Sequence, residues 1–328
     1  MPANLPPLYF EAEKEYRAAK TPQQKIEALE RMLAIMPHHK GTDHLRAELR
    51  TRIAKLTEEA ERQRGAGGRT QVYTVRKEGA GQVMLVGLPN AGKSALLAAL
   101  TSAPAKVADY PYTTQLPQPA MMPFEDIQIQ LVDLPPITPG ETPGWIRGLL
   151  RQADLLLLVV DLAADPLADL RALLGELEAL RLEPVPPGAA ASAEGLSIPK
   201  EALLVANKLD LPGAGDIAEL LALEEGERLP LLVVSALRGD GLEELRRAVV
   251  DALRIVRVYA KPPGRPPDLD RPFILPQGAT IADLAESIHR DLPQKLKYAV
   301  LWPADRPAVR VARDYSLRDR DVIELHTG

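Results

Sequence analysis

The feature that most constrains this chain is a glycine-rich loop between two apolar stretches. The loop reads G-x-x-x-x-G-K-S, follows Val83–Val86 and precedes Ala95–Leu100. Glycines let backbone N–H groups curl around phosphate oxygens, and the N-terminus of the following helix adds positive potential. In such a loop the lysine reaches the β- and γ-phosphates, and the serine hydroxyl ligates Mg²⁺. The pattern predicts a phosphate-binding loop in an α/β fold. Its residues are Gly87, Leu88, Pro89, Asn90, Ala91, Gly92, Lys93 and Ser94.

From Gln82 onward, short apolar runs alternate with helical or turn-rich stretches. Such alternation indicates a mostly parallel sheet with helices on both faces. Glu183–Pro199 is rich in proline, glycine and alanine, which predicts a flexible insertion between elements. The predicted strands are Val83–Val86, Ile127–Val132, Leu155–Asp161, Leu203–Ala206 and Leu231–Val234.

Two segments at predicted strand ends indicate which base is bound. Asn207-Lys208-Leu209-Asp210 follows Leu203–Ala206, and Ser235-Ala236-Leu237 follows the next strand. A carboxylate at Asp210 can accept both the N1–H and the N2–H of guanine, whereas adenine lacks this donor pair. Lys208 would pack its stem along the base, and the Ala236 N–H would point at guanine O6. Alone, an N-K-x-D sequence is also typical of a capped surface turn. In this order on one sheet, the two segments predict guanine specificity.

Three residues are candidate ligands of Mg²⁺. Ser94 belongs to the phosphate loop, and Asp133 in Asp133-Leu134-Pro135-Pro136 follows a predicted strand, where it would hold the magnesium water shell. Thr114, in the loop after the first helix of the sheet region, is the candidate second protein ligand. An ordinary polar loop is the alternative interpretation of Thr113 and Thr114.

The regions on either side of the predicted sheet have different textures. Residues 11–64 show helical periodicity, with a first helix over Lys25–Met36, and predict a helical hairpin. The basic stretch Arg62–Lys77 is either a solvated connector or an RNA-binding tract. After about Ile255, short strands surround one predicted helix and indicate a small mixed α/β domain. The predicted domains are residues 1–78, 79–255 and 256–328.

Composition excludes several classes of protein. The 328 residues are 46% hydrophobic and 26% charged, as in an ordinary soluble protein of two or three domains. The longest apolar run, Leu155–Val160, is too short to cross a membrane. Met1–Phe10 has no basic region followed by an apolar stretch, so a secretory signal is not expected there. The absence of cysteine excludes disulfides and thiolate zinc sites and fits the cytoplasm. The net charge of −5 is concentrated in the middle of the chain, which argues against a general nucleic-acid groove there.

Taken together, the motifs resemble those of the Obg superfamily of translation-factor-class GTPases. GLPNAGKSALL, ADYPYTTQ, DLPP, NKLD and SAL match its five G motifs in order. The chain is similar to the developmentally regulated GTP-binding (DRG) subfamily, which has an N-terminal helical segment, a G domain and a C-terminal TGS domain, a ubiquitin-like β-grasp module. VRVYAKPPG, SIHRDL, KYAVLWP and YSLRDRDVIELH match the TGS domain. The resemblance implies GTP and GDP binding, slow Mg²⁺-dependent hydrolysis, and association with ribosomes or RNA, often with an accessory protein.

The resemblance also assigns residues to the nucleotide by position. Lys93, Asn90 and Thr114 are the candidate catalytic residues. The candidate lining residues are Gly87–Ser94, Tyr112, Thr113, Thr114, Gln115, Leu116, Asp133, Leu134, Pro135, Pro136, Asn207, Lys208, Leu209, Asp210, Ser235, Ala236 and Leu237.

Three positions of the G motifs call for separate interpretation. Pro136 replaces the family's glycine, which predicts slow hydrolysis, a weak nucleotide-driven rearrangement and mobility of residues 136–147. Ile137 stands where many small GTPases have a water-orienting glutamine. Asn90 lies where potassium-activated relatives ligate K⁺, but it also suits a tight turn, so both interpretations stay open. Two alternatives to a GTPase switch also remain: a GTP-binding scaffold that barely hydrolyses, and a kinase or ATPase.

Overall fold

The chain divides into two compact units, Met1–Val72 and Tyr73–Gly328. The structure is a computed structural model, and it describes residues 9, 14, 16, 22–35, 49, 52–53, 74–101, 116–189 and 197–327.

The first unit contains a helix, α1 (Pro22–Ile35), where the sequence predicts one over Lys25–Met36. Its residues Leu29 and Met32 are buried against Tyr9 and Leu49, because their three-residue spacing puts both on one helical face. Residues 49, 52 and 53 are also helical. The remainder of the predicted hairpin, and the basic stretch before residue 74, lie outside the described residues.

The first part of the second unit is built on a seven-stranded sheet, counted over the described residues. The strand order is β2-β3-β1-β4-β6-β5, and β7 also pairs with β6. Among these described strands only the β2–β3 pair is antiparallel, so the predicted mostly parallel sheet is confirmed. The strands are β1 (Gln82–Val86), β2 (Gln118–Phe124), β3 (Ile127–Asp133), β4 (Leu155–Asp161), β5 (Leu182–Val185), β6 (Ile198–Asn207) and β7 (Leu231–Val233).

Helices cover both faces of this sheet. Alternate residues of a strand point to opposite faces, and accordingly Met84 belongs to one core cluster whereas Leu85 belongs to the other. The central strand β4 is buried at every position, which explains why its sequence is a continuous apolar run rather than an alternating pattern. The helices are α2 (Lys93–Leu100), α3 (Gly144–Gln152), α4 (Pro166–Ala179), α5 (Ala214–Glu225) and α6 (Leu242–Leu253).

The sequence prediction of a flexible insertion over Glu183–Pro199 is wrong at both ends. Leu182–Val185 forms β5 and pairs in parallel with residues 198–201 at the start of β6. Proline and alanine suggest a loop, but this pair lies at the edge of the sheet, where a missing proline N–H is tolerated. Strand β2 was not predicted either, because Pro119 and Pro123 mask a strand that is also at an edge.

The second part of this unit is a smaller five-stranded mixed sheet with the order β11-β10-β12-β8-β9. Helix α7 packs on it through Ile281 and Leu284, which are fully buried against Val258. Thr280 and Asp283 form a capping box at the start of α7, as their spacing suggests. The elements are β8 (Ile255–Ala260), β9 (Phe273–Pro276), α7 (Ile281–Ile288), α8 (Leu292–Lys295), β10 (Leu296–Leu301), β11 (Val309–Val311) and β12 (Asp321–Thr327).

A cluster of charged side chains joins the two sheets. Arg257 on β8 is 8% exposed and makes a forked contact with Asp319, at 3.0 Å from Nε and 2.6 Å from Nη2. Its Nη1 also donates to Glu125 and, at 2.7 Å, to Asp126, which form the turn between β2 and β3. The Tyr259 hydroxyl donates to Asp126 at 2.5 Å. These five residues attach the small sheet to the β2–β3 hairpin.

No helix in the described part of the chain is both long enough and apolar enough to span a lipid bilayer.

Candidate nucleotide-binding site

The predicted phosphate loop lies between β1 and α2. Gly92 (φ 87°) and Asn90 (φ 65°) adopt left-handed backbone conformations that turn the loop sharply into the helix. A Cβ atom on Gly92 would collide with the side-chain amide of Asn207, and one on Gly87 would collide with the carbonyl of Val159. Packing therefore requires glycine at both positions, and at Gly92 the backbone conformation requires it as well.

The ammonium group of Lys93 lies across this loop. Its Nζ donates to the carbonyls of Gly87 and Leu88, at 3.0 and 3.1 Å, and the residue is only 6% exposed. Burial lowers the pKa of Lys93, and the nearby carboxylate of Asp133 partly opposes this. The loop therefore holds a poorly hydrated positive charge at the start of α2, which is a favourable environment for phosphate.

Asp133, at the end of β3, lies beside the first turn of α2. The Ser94 hydroxyl donates to its Oδ2 atom, whereas Oδ1 is buried and has no hydrogen-bond partner in the described part of the chain. Burial raises the pKa of Asp133, and the Ser94 hydrogen bond and the Lys93 charge oppose that shift. A buried carboxylate oxygen without a partner, next to a hydroxyl, suits a hydrated Mg²⁺ ion, since oxygen atoms are its preferred ligands. The residues present therefore fit this metal.

These groups line a cavity of about 490 Å³. A second cavity of about 470 Å³ lies beside residues 74–78 and strand β2, so size alone does not distinguish the two. The first contains the phosphate loop and the Ser94–Asp133 pair, and for that reason we assign the site to it. Its lining includes Asn90, Lys93, Ser94, Leu116, Asp133 and Pro136.

Asn207 connects the phosphate loop with the Ser235–Leu237 segment rather than facing the cavity. Its side chain is buried, with Nδ2 donating to the Ala91 carbonyl at 3.2 Å and Oδ1 accepting from the Ala236 N–H at 3.1 Å. The Ala236 N–H, which the sequence suggests for guanine O6, thus already has a partner. It can reach O6 only by sharing or leaving that bond.

Asp210 is held as an acceptor by a buried serine. The Ser235 hydroxyl donates to Asp210 Oδ1 at 2.6 Å, and Ser235 Oγ in turn accepts from the Arg238 N–H at 3.0 Å. The Ser235 hydrogen bond lowers the pKa of Asp210, which keeps its carboxylate ionised at neutral pH. An ionised carboxylate accepts hydrogen bonds only, which matches the donor edge of guanine.

Comparison with known protein families agrees with this geometry. A 50S ribosome-binding GTPase family model matches residues 82–185, and a TGS domain model matches residues 256–327. An uncharacterized GTP-binding protein of Methanocaldococcus jannaschii is 28% identical, over 92% of this chain and 92% of its own. Developmentally-regulated G-protein 1 of Arabidopsis thaliana is 29% identical, over 92% of this chain and 90% of its own.

The chain is a GTP-binding protein with a TGS domain, and it is homologous to the developmentally regulated G-proteins. The larger sheet with its helices is the P-loop GTPase domain, and the smaller sheet is the TGS domain with a β-grasp-like arrangement. Among solved structures, the G domain of the Thermotoga maritima FeoB iron transporter is 29% identical, covering 52% of this chain and 97% of that one, with a TM-score of 0.38.

The third motif of the GTPase domain is anchored directly to the phosphate loop. Ile137, which follows Pro136, donates its N–H to the Gly87 carbonyl at 3.1 Å, and its side chain is fully buried. The isoleucine therefore offers no polar group to an attacking water, as its position in the sequence suggests. Further along, Gly140 N–H donates to Glu176 at 3.0 Å. The predicted mobility of this segment is a statement about nucleotide-bound states and stays a prediction.

Other predicted residues fall into three groups. Tyr112, Thr113, Thr114 and Gln115 lie outside the described residues, whereas Leu116 is 45% exposed and lines the cavity. Leu134 and Pro135 line it too, but Leu209 packs partly against the core and Leu237 is exposed.

Sequence reasoning missed two residues of the site. Gln118 and Asp161 are not in any G motif, yet Gln118 lines the cavity and Asp161 forms an ion pair with Lys208. For Asp161 a signal existed, because it ends a buried strand at the carboxyl edge of a parallel sheet, where ligand sites collect.

Proposed function

We propose that this chain binds GTP and GDP with Mg²⁺ in the cytoplasm and hydrolyses GTP slowly, as a switch. The observation that supports the proposal best is the convergence at one sheet edge of a phosphate loop, the Ser94–Asp133 pair and the ionised Asp210. Phosphate, metal and guanine groups are thus all provided for.

Each group has a distinct role in the proposed reaction. Loop N–H groups and Lys93 hold the β- and γ-phosphates, and Ser94, Asp133 and Thr114 would hold Mg²⁺, which neutralises charge on the phosphates. Catalysis then rests on positioning and electrostatic stabilisation of the charge that develops on the leaving oxygen. Ile137 stands where many small GTPases have a glutamine that orients water. Because its side chain is apolar and buried, it cannot orient water, and hydrolysis is expected to be slow.

The experiment that tests this function combines competition binding with single-turnover hydrolysis. A fluorescent GDP analogue should be displaced by GTP and GDP but not by ATP. GTP supplied below the protein concentration should be hydrolysed only with Mg²⁺ present. Equal displacement by ATP would favour the kinase or ATPase alternative. GTP binding without measurable hydrolysis would favour the scaffold alternative.

The same assay addresses a monovalent ion. Asn90 lines the cavity in a left-handed conformation, which fits its role in the turn, and the K⁺ role rests on family resemblance. If K⁺ supplies positive charge to the transition state, hydrolysis should be faster in K⁺ than in Na⁺. Equal rates would assign Asn90 to the turn alone.

We further propose that the nucleotide state controls docking to ribosomes or RNA, with an accessory protein as a further partner. The description of the matching GTPase family and the presence of a TGS domain support this. The TGS domain also has four exposed arginines, Arg310, Arg313, Arg318 and Arg320. Arg310 stacks on Tyr298, Arg313 donates to the Leu296 carbonyl and Arg320 pairs with Glu125, so these three already have partners within the chain.

Co-sedimentation with ribosomes tests the partner. Runs with GDP, GTP and a non-hydrolysable GTP analogue should give different bound fractions. Equal fractions with all three nucleotides would contradict nucleotide-controlled docking, and no sedimentation would contradict the ribosome as partner.

Replacing Pro136 by glycine should strengthen the preference for GTP over GDP and speed up hydrolysis. Proline has no N–H, whereas glycine could donate one to the γ-phosphate, a bond worth about 1.5–3 kcal/mol, or roughly tenfold or more in affinity. Both affinities and the single-turnover rate should be measured beside the parent.

The companion variant Pro136→Ala restores the N–H without the flexibility of glycine. If both variants keep the parent's affinity ratio and rate, then Pro136 is a neutral variation, and the Ile137 contact with Gly87 is sufficient to hold the segment.

A further inference from the structure

Asp161 lies at the carboxyl end of β4, outside the recognised G motifs. Its Oδ1 atom accepts from the Ala163 N–H at 2.8 Å, and its Oδ2 atom is 2.5 Å from the ammonium of Lys208. The Asp161 side chain is 13% exposed and that of Lys208 is 32% exposed. One carboxylate oxygen thus fixes Asp161 to its own turn, and the other is directed at the lysine of the guanine motif.

The backbone of Lys208 is fixed independently. Its φ of 73° is left-handed, a conformation that costs energy for a residue with a side chain. The preceding carbonyl, that of Asn207, accepts from Leu162 N–H at 3.0 Å, and the Lys208 carbonyl accepts from Leu211 N–H at 3.1 Å. With the backbone held, the direction of the lysine stem is decided by what binds its ammonium group.

We propose that Asp161 is a positioning residue for Lys208. By binding the ammonium group, Asp161 holds the Lys208 stem extended, so that the methylene groups of the lysine form a flat apolar surface for the guanine ring. The role rests on the proposed function, because it requires a guanine nucleotide in the cavity that Lys208 lines. A free lysine side chain samples many rotamers, and fixing it before binding removes that entropy cost from the binding step.

This role predicts a specific pattern of affinities. Asp161→Asn should weaken GTP, GDP and ITP by a similar factor, roughly fivefold, the size of a partly exposed charge pair. The ratio of GTP to ITP affinity should not change, because ITP lacks only the N2–H that Asp210 accepts. A defect in base recognition by Asp210 would instead change that ratio.

The experiment compares the full-length parent with Asp161→Asn, using displacement of a fluorescent GDP analogue. Asp165→Asn is the matched control, since Asp165 is a nearby acid that caps α4 through the Ala168 N–H; it should bind nucleotide like the parent. Asp161→Glu should recover part of the loss. In a Lys208→Met background, which keeps the stem but has no ammonium, Asp161→Asn should have no further effect.

Each outcome bears on a different statement. Parent-like affinity of Asp161→Asn would overturn the positioning role alone. If Asp161→Asn causes the same loss in the Lys208→Met background as in the parent, Asp161 acts on the fold, and the positioning role is again overturned. A parent that binds no guanine nucleotide would overturn the proposed function, and the role of Asp161 with it.

Discussion

Asp210→Asn should weaken GTP binding by roughly a thousandfold, since a site built to hydrogen-bond a group strongly rejects a mismatched partner. The asparagine amide presents an N–H₂ group to the guanine N2–H₂ where the carboxylate presented an acceptor. Xanthine has an oxygen at that position, which accepts from the amide. The variant should therefore prefer xanthine nucleotides.

Displacement of fluorescent nucleotides by GTP and XTP measures this switch. Asp216→Asn, which removes a first-turn acid of α5, is a matched control outside the site. Because Ser235 lowers the pKa of Asp210, the parent's binding should persist as the pH falls to the ordinary carboxyl range and decline only below it. Unchanged GTP affinity in Asp210→Asn would remove Asp210 from the base site.

Arg257→Met should cost roughly 2–3 kcal/mol of stability and loosen the TGS domain from the GTPase domain. Removing one partner of a buried ion pair costs about 3–5 kcal/mol. We expect a loss at or below the lower end of that range, because the partner side chains of Glu125 and Asp319 are 45% and 44% exposed. Without the guanidinium, Glu125 keeps its ion pair with Arg320, but Asp126 and Asp319 lose their cationic partner.

Urea unfolding followed by tryptophan fluorescence tests this, since the chain has two tryptophans, Trp145 in the GTPase domain and Trp302 in the TGS domain. Single Trp→Phe variants separate the two signals, and Arg257→Met should move the TGS transition to lower urea. Arg171→Met is the control, because the Arg171–Glu224 pair is exposed and should contribute under about 1 kcal/mol. Equal effects of the two substitutions would contradict a special role for Arg257.

The pH dependence of this stability has a definite sign. Arg257 hydrogen bonds lower the pKa of Glu125; at Asp126 and Asp319 burial opposes ionisation, but hydrogen bonds outweigh it and lower the pKa. The stabilisation is therefore present above the unfolded pKa values of about 4 and is lost as the pH falls through the lower folded values. The difference between parent and Arg257→Met should shrink accordingly in acid. Burial and the Asp126 hydrogen bond raise the pKa of Tyr259 to about 12, so this donor keeps its proton throughout that range.

Local patterns predicted much of the fold. Strands β1 and β4 are almost entirely apolar, and burial on both faces is the physical reason. Strand β3 begins with alternating isoleucine and glutamine, in which the isoleucines are buried and Gln128 is exposed. Strands β2 and β5 were not predicted because their prolines suggest loops, whereas their pairing with β3 or β6 at an edge of the sheet makes them strands. The contact between the two sheets could not be predicted, since Arg257 is separated by more than 130 residues from Glu125 and Asp126.

The residues of the candidate site also differ in how well the sequence alone predicts them. The phosphate loop and Asp210 have short sequence signatures because backbone conformation and one carboxylate define their chemistry. The hydrogen bonds of Asn207 to Ala91 and Ala236 and the pairing of Asp161 with Lys208 depend on how neighbouring strands align. In the register Asp161 lies opposite Asn207, which places it beside the guanine segment. Only the tertiary structure supplies that alignment.

The β2–β3 hairpin has its open end at the nucleotide and its closed end at the TGS domain. Gln118 and Asp133 are paired at the first end, and the turn at Glu125 and Asp126 is seven paired rows away. A strand that slips by one residue turns all its side chains to the wrong face, so β3 can shift along β1 only in two-residue steps, about 7 Å. We therefore expect a small displacement of Asp133 to tilt the hairpin rather than change its register. Because Arg257 and Tyr259 hold the far turn, such a tilt would move the TGS domain as well.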